Sequence, residues 1–134
     1  MVWVDSPKAH WNVHSKSPAA IKASLTAAMY PQIACMDSES SSMSPPIWFD
    51  KTSAVRVHPS SILHKVPTSR FTSPHLLYSE KKKTTAVFVR DLSVVPPLAL
   101  LLFGGELEVH HDAGYVLLDG WIKVCCSIVD WNIL

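Results

Sequence analysis

Leu76-Leu77-Tyr78-Ser79-Glu80-Lys81-Lys82-Lys83-Thr84-Thr85-Ala86-Val87-Phe88-Val89-Arg90-Asp91 is two β-type runs joined by three consecutive lysines. His75–Glu80 and Thr85–Asp91 read as the arms of a hairpin, with the lysine triplet in its turn. A sheet that carries a cationic hairpin suits a polyanionic ligand. The segments on either side continue the β pattern. Ala54-Val55-Arg56-Val57-His58 alternates and is stopped by Pro59, and Glu106-Leu107-Glu108-Val109-His110 alternates again. Asp112-Ala113-Gly114 and Asp119-Gly120 are turns that set off Tyr115–Leu118 and a last strand, Trp121–Cys125. Pro96-Pro97 opens the apolar segment Leu98–Phe103, read as a short helix lying on the sheet. The expected fold is mainly β: a small five-stranded OB-fold-like antiparallel barrel with a short N-terminal helical segment.

That helical segment starts at a clear boundary. Ser17 is a good N-cap, Pro18 suits the first helical position, and Ile21, Leu25, Ala28 and Met29 fall at helical spacing. Pro31 ends the helix near Tyr30. The expected organisation is an N-terminal loop and helix over 1–36, a Ser/Pro-rich loop over 37–53, the barrel over 54–125 and an apolar tail over 126–134. Ile33–Met36 and Ile47–Phe49, which flank the Ser-rich loop, are candidate short strands. Leu101–Phe103 are expected to fill the barrel core, and Gly104-Gly105 to supply positive φ at the turn that follows.

At 134 residues, 48% of them apolar, the chain can bury one core and is not a disordered segment. No run approaches the roughly 18 apolar residues of a membrane helix, so no membrane partner is expected. Cys35 and the adjacent Cys125-Cys126 form neither a disulfide framework nor a zinc motif, which fits a reducing compartment, cytosol or nucleus. The formal charge of +1 conceals segregation: −1 over residues 1–50, +7 over 51–90 and −5 over 91–134. An approaching partner meets the local field, and the middle of the chain has the footprint of a nucleic-acid binder.

Several motifs together then resemble a known family. Val57-His58-Pro59-Ser60-Ser61, Leu77-Tyr78-Ser79-Glu80-Lys81, Val89-Arg90-Asp91, Leu101-Leu102-Phe103-Gly104-Gly105 and Asp119-Gly120-Trp121-Ile122 occur in this order. With Ile21-Lys22-Ala23 and Ala27–Ala34 upstream, they resemble the C-terminal OB-fold region of DEAH/RHA (DExH-box) ATP-dependent RNA helicases and its join to the helical ratchet domain. The likeness covers about residues 12–125. It implies single-stranded RNA as a ligand, RecA-like and ratchet domains as partners in cis, and an activator protein as a further possible partner. ATP and Mg²⁺ would belong to the motor domains of such a helicase. This chain has no GxxxxGK[ST] loop and no DExH box, so no ATP hydrolysis and no cofactor are expected of it. The family pattern would continue into charged helices after Val124. Cys125–Leu134 is apolar instead, which reads as the end of a fragment or a truncated product.

The expected RNA contacts are Lys81, Lys82 and Lys83 to phosphates, Thr84 and Thr85 as positioning hydroxyls, and Tyr78 as an exposed aromatic that stacks a base. His58, Ser60 and Ser61 form a second candidate phosphate site, with termination of the strand as the alternative reading. Arg90-Asp91 reads as an internal ion pair or turn contact. His110-His111-Asp112 is a poor metal set, because neighbouring strand residues point to opposite faces. No nucleophile-elbow pattern is present, so no catalytic residue is expected. The function expected first is an RNA-binding accessory module of a helicase. The alternative is a protein–protein interaction module, for which the apolar helix and tail speak.

Overall fold

The structure is a computed structural model that describes residues 10–125. Residues 1–9 of the N-terminal loop and the expected tail, 126–134, lie outside the described residues. The first long element follows its sequence signals. Ser17 accepts a hydrogen bond from the Ala20 N–H at 3.4 Å, Pro18 takes the first turn, and helix α1 runs Pro18–Met29. The chain leaves it at Tyr30, whose peptide bond to Pro31 is cis. Its apolar stripe is not the buried face, however. Thr26 is the one fully buried residue of α1, with its hydroxyl satisfied by the Lys22 carbonyl at 2.8 Å, while Ile21 and Leu25 are exposed.

Five strands close into a barrel: β1 (Ile33–Met36), β2 (Trp48–Phe49), β3 (Ala54–Val57), β4 (His75–Lys83) and β5 (Val87–Val94), in ring order β1-β2-β3-β5-β4. Alternating strand directions cannot return to the start in a ring with an odd number of members, so one neighbouring pair must be parallel. That pair is β3 and β5, with Arg56 opposite Phe88 and Val57 opposite Val89; the other four pairings are antiparallel. The wholly antiparallel ring expected from the sequence is corrected on this point. The barrel also begins at Ile33 and not at residue 54, because β1 pairs with both β2 and β4. The candidate short strands at Ile33–Met36 and Ile47–Phe49 are therefore part of the ring; strands as short as Trp48–Phe49 have too few residues to show alternation, so the pattern did not assign them to the barrel. The Ser-rich loop between β1 and β2 is tied down. The Thr68 N–H and hydroxyl both donate to the Ser44 carbonyl at 2.9 Å.

The barrel interior is one apolar cluster to which every strand contributes: Ala34, Trp48, Val55, Leu76, Tyr78 and Val89. Each large side chain buried there contributes roughly 1.5–3 kcal/mol. The inward positions of β4 and β5 change parity along the hairpin. Leu76, Tyr78, Leu92 and Val94 face the core near the base, yet Val87 and Val89 face it further out. The switch occurs at Asp91, which has a positive φ of 52° and accepts a hydrogen bond from Ser79 Oγ at 3.0 Å. Aspartate tolerates that backbone region better than most residues. Beyond Asp91, Phe88 and Arg90 therefore point outward.

After β5, helix α2 (Pro97–Phe103) leads into a separate three-stranded sheet: β6 (Leu107–His110), β7 (Tyr115–Leu118) and β8 (Ile122–Cys125). These strands were expected within the barrel, but they cover it from outside. A second cluster joins Ile33 and Leu77, on the outer side of β1 and β4, to Leu100, Leu118, Ile122 and Val124. Buried His75 fastens the same junction. Its Nε2–H donates to the Lys123 carbonyl at 3.1 Å, which leaves Nδ1 to accept from the Ser73 hydroxyl at 3.3 Å. Burial lowers the His75 pKa, against the opposing effect of the Lys123 carbonyl.

Leu100 alone of the α2 leucines is fully buried; Leu102 and Phe103 are exposed, contrary to the expectation that they fill the barrel. A seven-residue helix has one narrow buried side, occupied here by Ala99 and Leu100. Gly104 does not have a positive φ, being at −76°. What requires glycine is space: a Cβ at Gly104 would collide with the Leu118 side chain and the Leu100 carbonyl, and one at Gly105 with the Asp119 carboxylate. Asp119 also accepts from the Tyr30 hydroxyl and from the Glu106 N–H, so it binds the end of α1 to the turn before β8. Burial, and then that hydrogen bond, push the Tyr30 pKa up to about 12.

Candidate nucleic-acid interface

The lysine triplet belongs to a strand and not to a turn. Lys81, Lys82 and Lys83 pair in register with Val89, Phe88 and Val87, and the turn falls at Thr84–Ala86, where the Thr84 N–H donates to the Ala86 carbonyl at 2.9 Å. Three adjacent charges look like a turn in sequence because charge and β-propensity point in opposite directions. Two faces result. Lys81 lies on the side of inward-facing Val89 and forms an ion pair with Asp50, just after β2. Asp50 is also held by the N–H groups of Thr52 and Ser53, each at 2.8 Å. Burial would raise its pKa, but Lys81 and those donors outweigh it and leave the carboxyl below its usual value. Lys81 thus ties the hairpin to the β2–β3 turn, with its charge neutralised.

Lys82 lies across from Phe88 on the opposite face, and Phe88 lies across from Arg56 on β3. These three form one row across three strands: cation, aromatic, cation. The next row is Glu80, Arg90 and His58. Glu80 pairs with Arg90 in register, and Arg90 Nη2 lies 2.6 Å from His58 Nε2. The His58 and Phe88 rings meet edge to face, 5.7 Å between centroids, which connects the rows. Lys82, Lys83, Thr84 and Thr85 are exposed. Lys82 therefore shares the outer face with Arg90 and His58, joined by β5, whereas Lys83, across from inward-facing Val87, has the parity of Lys81 and is exposed at the end of the hairpin.

Tyr78 does not belong to that face. It is 8% exposed, packs in the barrel core and cannot stack a base as expected. Its place is taken by Phe88, half-buried between Arg56 and Lys82. The signal was present: in Val87-Phe88-Val89-Arg90, Phe88 is in phase with Arg90 and out of phase with the two valines. Arg90 also departs from expectation, since it reaches His58 and not Asp91. A guanidinium can only donate, so His58 Nε2 is the acceptor and the ring proton sits on Nδ1. Nδ1–H then donates to Ser60 Oγ at 2.7 Å. The Ser60 amide also lies 3.1 Å from Nδ1. One nitrogen cannot both donate and accept in this way, and the guanidinium decides for donation. The Ser61 hydroxyl accepts from the Leu63 N–H at 3.2 Å.

Two grooves flank these rows. One, of about 420 Å³, runs past Phe88 between Arg56, His64 and Lys65 and the apolar Pro45, Ile47 and Leu63. The other, of about 370 Å³, is lined by Ser60, Ser61, Arg90, Glu80 and Asp91. At the far end of the molecule His110 stacks on Tyr115, with centroids 4.7 Å apart, and lies 3.2 Å from Glu108. Among the described residues no helix is long and apolar enough to cross a membrane.

A five-stranded ring closed by one parallel pair, with its open face on β3, β5 and β4, defines an OB-fold domain. The family model described as oligonucleotide/oligosaccharide-binding (OB)-fold matches residues 21–107, and the chain belongs to that family in the form carried by DExH-box RNA helicases. It is 33% identical over 132 residues to the chloroplastic DExH-box ATP-dependent RNA helicase DExH4 of Arabidopsis thaliana, covering 92% of this chain and 9% of that protein. Identity to the human putative ATP-dependent RNA helicase DHX57 is 35% over 137 residues, covering 84% of this chain and 9% of that protein. For the Arabidopsis DExH-box ATP-dependent RNA helicase DExH1 it is 34% over 127 residues, covering 93% and 12%. The chain thus spans about a tenth of the length of these relatives.

Proposed function

We propose that this chain is a single-stranded RNA-binding accessory module of a DExH-box helicase, working beside a ratchet domain and the RecA-like motor domains, the latter carrying the ATP and Mg²⁺ chemistry. The observation that carries this reading is the row Arg56–Phe88–Lys82, with Lys83, Thr84 and Thr85 beside it. An aromatic flanked by cations offers a base a stacking surface and its neighbouring phosphates a charge on either side. The affinity is mainly electrostatic and sequence-tolerant.

Binding of a labelled oligouridylate, followed by anisotropy across a salt series, tests this. The logarithm of affinity should fall with the logarithm of salt by about 0.7 for each phosphate neutralised. Replacing both Lys82 and Lys83 by Glu should abolish binding while the thermal transition stays cooperative. Unchanged affinity in that double variant would sink the reading.

One observation favours a second surface with another role. Ile21 and Leu25 of α1, Leu98, Leu102 and Phe103 of α2, and Leu107 and Val109 of β6 are all exposed, and α1 packs against α2. This flank suits docking of neighbouring helicase domains or of an activator protein. Association through it would persist in high salt, whereas RNA binding would not.

A further inference from the structure

The groove beside Arg90 has a chemical polarity of its own. Arg90 gives one N–H to His58, His58 gives its proton to Ser60, and the Ser60 oxygen is thereby used as an acceptor. The remaining guanidinium hydrogens and the Ser60 hydroxyl hydrogen are left for a ligand. Arg90 Nε is buried and has no hydrogen-bond partner among the described residues, and no carboxylate there lies within ion-pair distance of the guanidinium. A buried donor on a cation without a partner costs stability unless something fills it. The same groove is also lined by Glu80, the cross-strand neighbour of Arg90, and by Asp91; both are carboxylates, acceptors only, which repel an anion and attract a hydroxyl.

We propose that this groove is a ribose-phosphate subsite, in which the phosphodiester lies on Arg90 and Ser60 and the adjoining 2′-hydroxyl donates to Glu80. The proposal rests on the RNA-binding reading above and sharpens it: the donors Arg90 and Ser60 take the backbone of any strand, and the acceptor Glu80 distinguishes ribose from deoxyribose. His58 is a positioning residue, because it fixes the hydrogen-bond polarity of Ser60 and the reach of Arg90 without itself contacting the strand. A groove of about 370 Å³ suits one sugar–phosphate unit and not a run of several.

The experiment measures oligouridylate and oligodeoxyuridylate binding by the whole chain across a salt series. Wild type should prefer the ribo-oligomer. Arg90→Gln should weaken both oligomers about equally and reduce the salt slope by about 0.7. Glu80→Ala should leave the slope nearly unchanged and lower the ribo-to-deoxy preference by about five- to tenfold. Ser60 is on an exposed loop, so Ser60→Ala tests the phosphate contact without endangering the fold; a severalfold loss on both oligomers is expected. If wild type binds RNA and depends on Lys82 and Lys83, yet Arg90→Gln and Ser60→Ala leave affinity and slope as they were, the subsite is overturned and the RNA-binding reading stands. An unchanged ribo-to-deoxy preference in Glu80→Ala overturns the ribose assignment. If wild type binds neither oligomer, both readings fall together.

Discussion

The outer face of β3, β5 and β4 and the flank formed by α1, α2 and β6 expose opposite chemistries on one small barrel. The first has Arg56, Lys82 and Arg90 around a single half-buried aromatic. The second exposes leucines, Ile21 and Phe103 at helical and strand spacing. A charged face keeps its hydration until a polyanion replaces it, so its binding weakens in salt. An apolar flank gains by losing water, so its association does not weaken in salt. If both surfaces bind as proposed, two partners of different kinds would be held at once, and the solvent condition that releases one would leave the other bound.

The two surfaces rest on two apolar clusters that share strands β1 and β4. Leu100 is buried where α2 and the outer sheet meet β1 and β4. Leu100→Ala should cost about 2–5 kcal/mol in denaturant unfolding, the largest effect expected here. If the barrel hairpin stayed protected from hydrogen exchange while α2 and β6–β8 opened, the two regions would be separable units.

Phe88→Ala comes next. It should weaken oligouridylate binding by about 1–3 kcal/mol with little change in the salt slope, since a stacked base is lost and no charge. Tyr78→Phe, by contrast, should leave RNA affinity unchanged, because Tyr78 is in the core. A reversed order would return the stacking role to the tyrosine.

Those two aromatics show what was readable in the sequence and what was not. The cap at Ser17, the stop before Pro31, and the turns at Gly114 and Gly120 depend on local chemistry, and all lie where the residues put them. The family was legible from ordered short motifs. Strand phase along the hairpin was not, because one residue, Asp91, reverses it through a positive φ that alternation does not encode. Gly104 and Gly105 were misread for a related reason: the side chains that exclude a Cβ belong to Leu118 and Asp119, more than ten residues away, and only the Leu100 carbonyl is near in sequence. Lys81 was counted with Lys82 because nothing local reveals that Asp50 faces only one of them.

His75 tests the junction between the regions through pH. Its folded pKa is below the usual histidine value of 6.5, so the unfolded chain takes up a proton before the folded one does. Stability should be level above about pH 6.5 and fall as pH drops from there towards the folded pKa. Asp50 and Asp119 also have lowered pKa values, so their contribution is lost only further down, as pH falls below their usual value of 3.8. In His75→Leu the loss beginning near pH 6.5 should vanish. About 1–3 kcal/mol should be missing at pH 7.5, because the Lys123 carbonyl and the Ser73 hydroxyl lose their partner.

Lys81→Ala should have a smaller effect. The ion pair it breaks is only partly shielded, with the Lys81 side chain 35% exposed, so about 0–1 kcal/mol is expected. Its value lies in contrast with Lys82→Ala. The lysine already paired with Asp50 should leave the RNA salt slope nearly unchanged, while its neighbour should lower it by about 0.7. Equal slopes would mean that RNA displaces Asp50.

The smallest change in stability is expected on the apolar flank, and it separates the two surfaces most directly. Leu98→Ser with Leu102→Ser removes two exposed leucines from one side of α2 and touches neither apolar cluster. Such surface changes alter stability by about 0.5 kcal/mol or less. RNA affinity and its salt slope should equal those of wild type, while any self-association seen by sedimentation in high salt should disappear. The polar face can then be measured without interference from the apolar one. A fall in RNA affinity in this variant would join the two surfaces into a single site and end the division of labour between them.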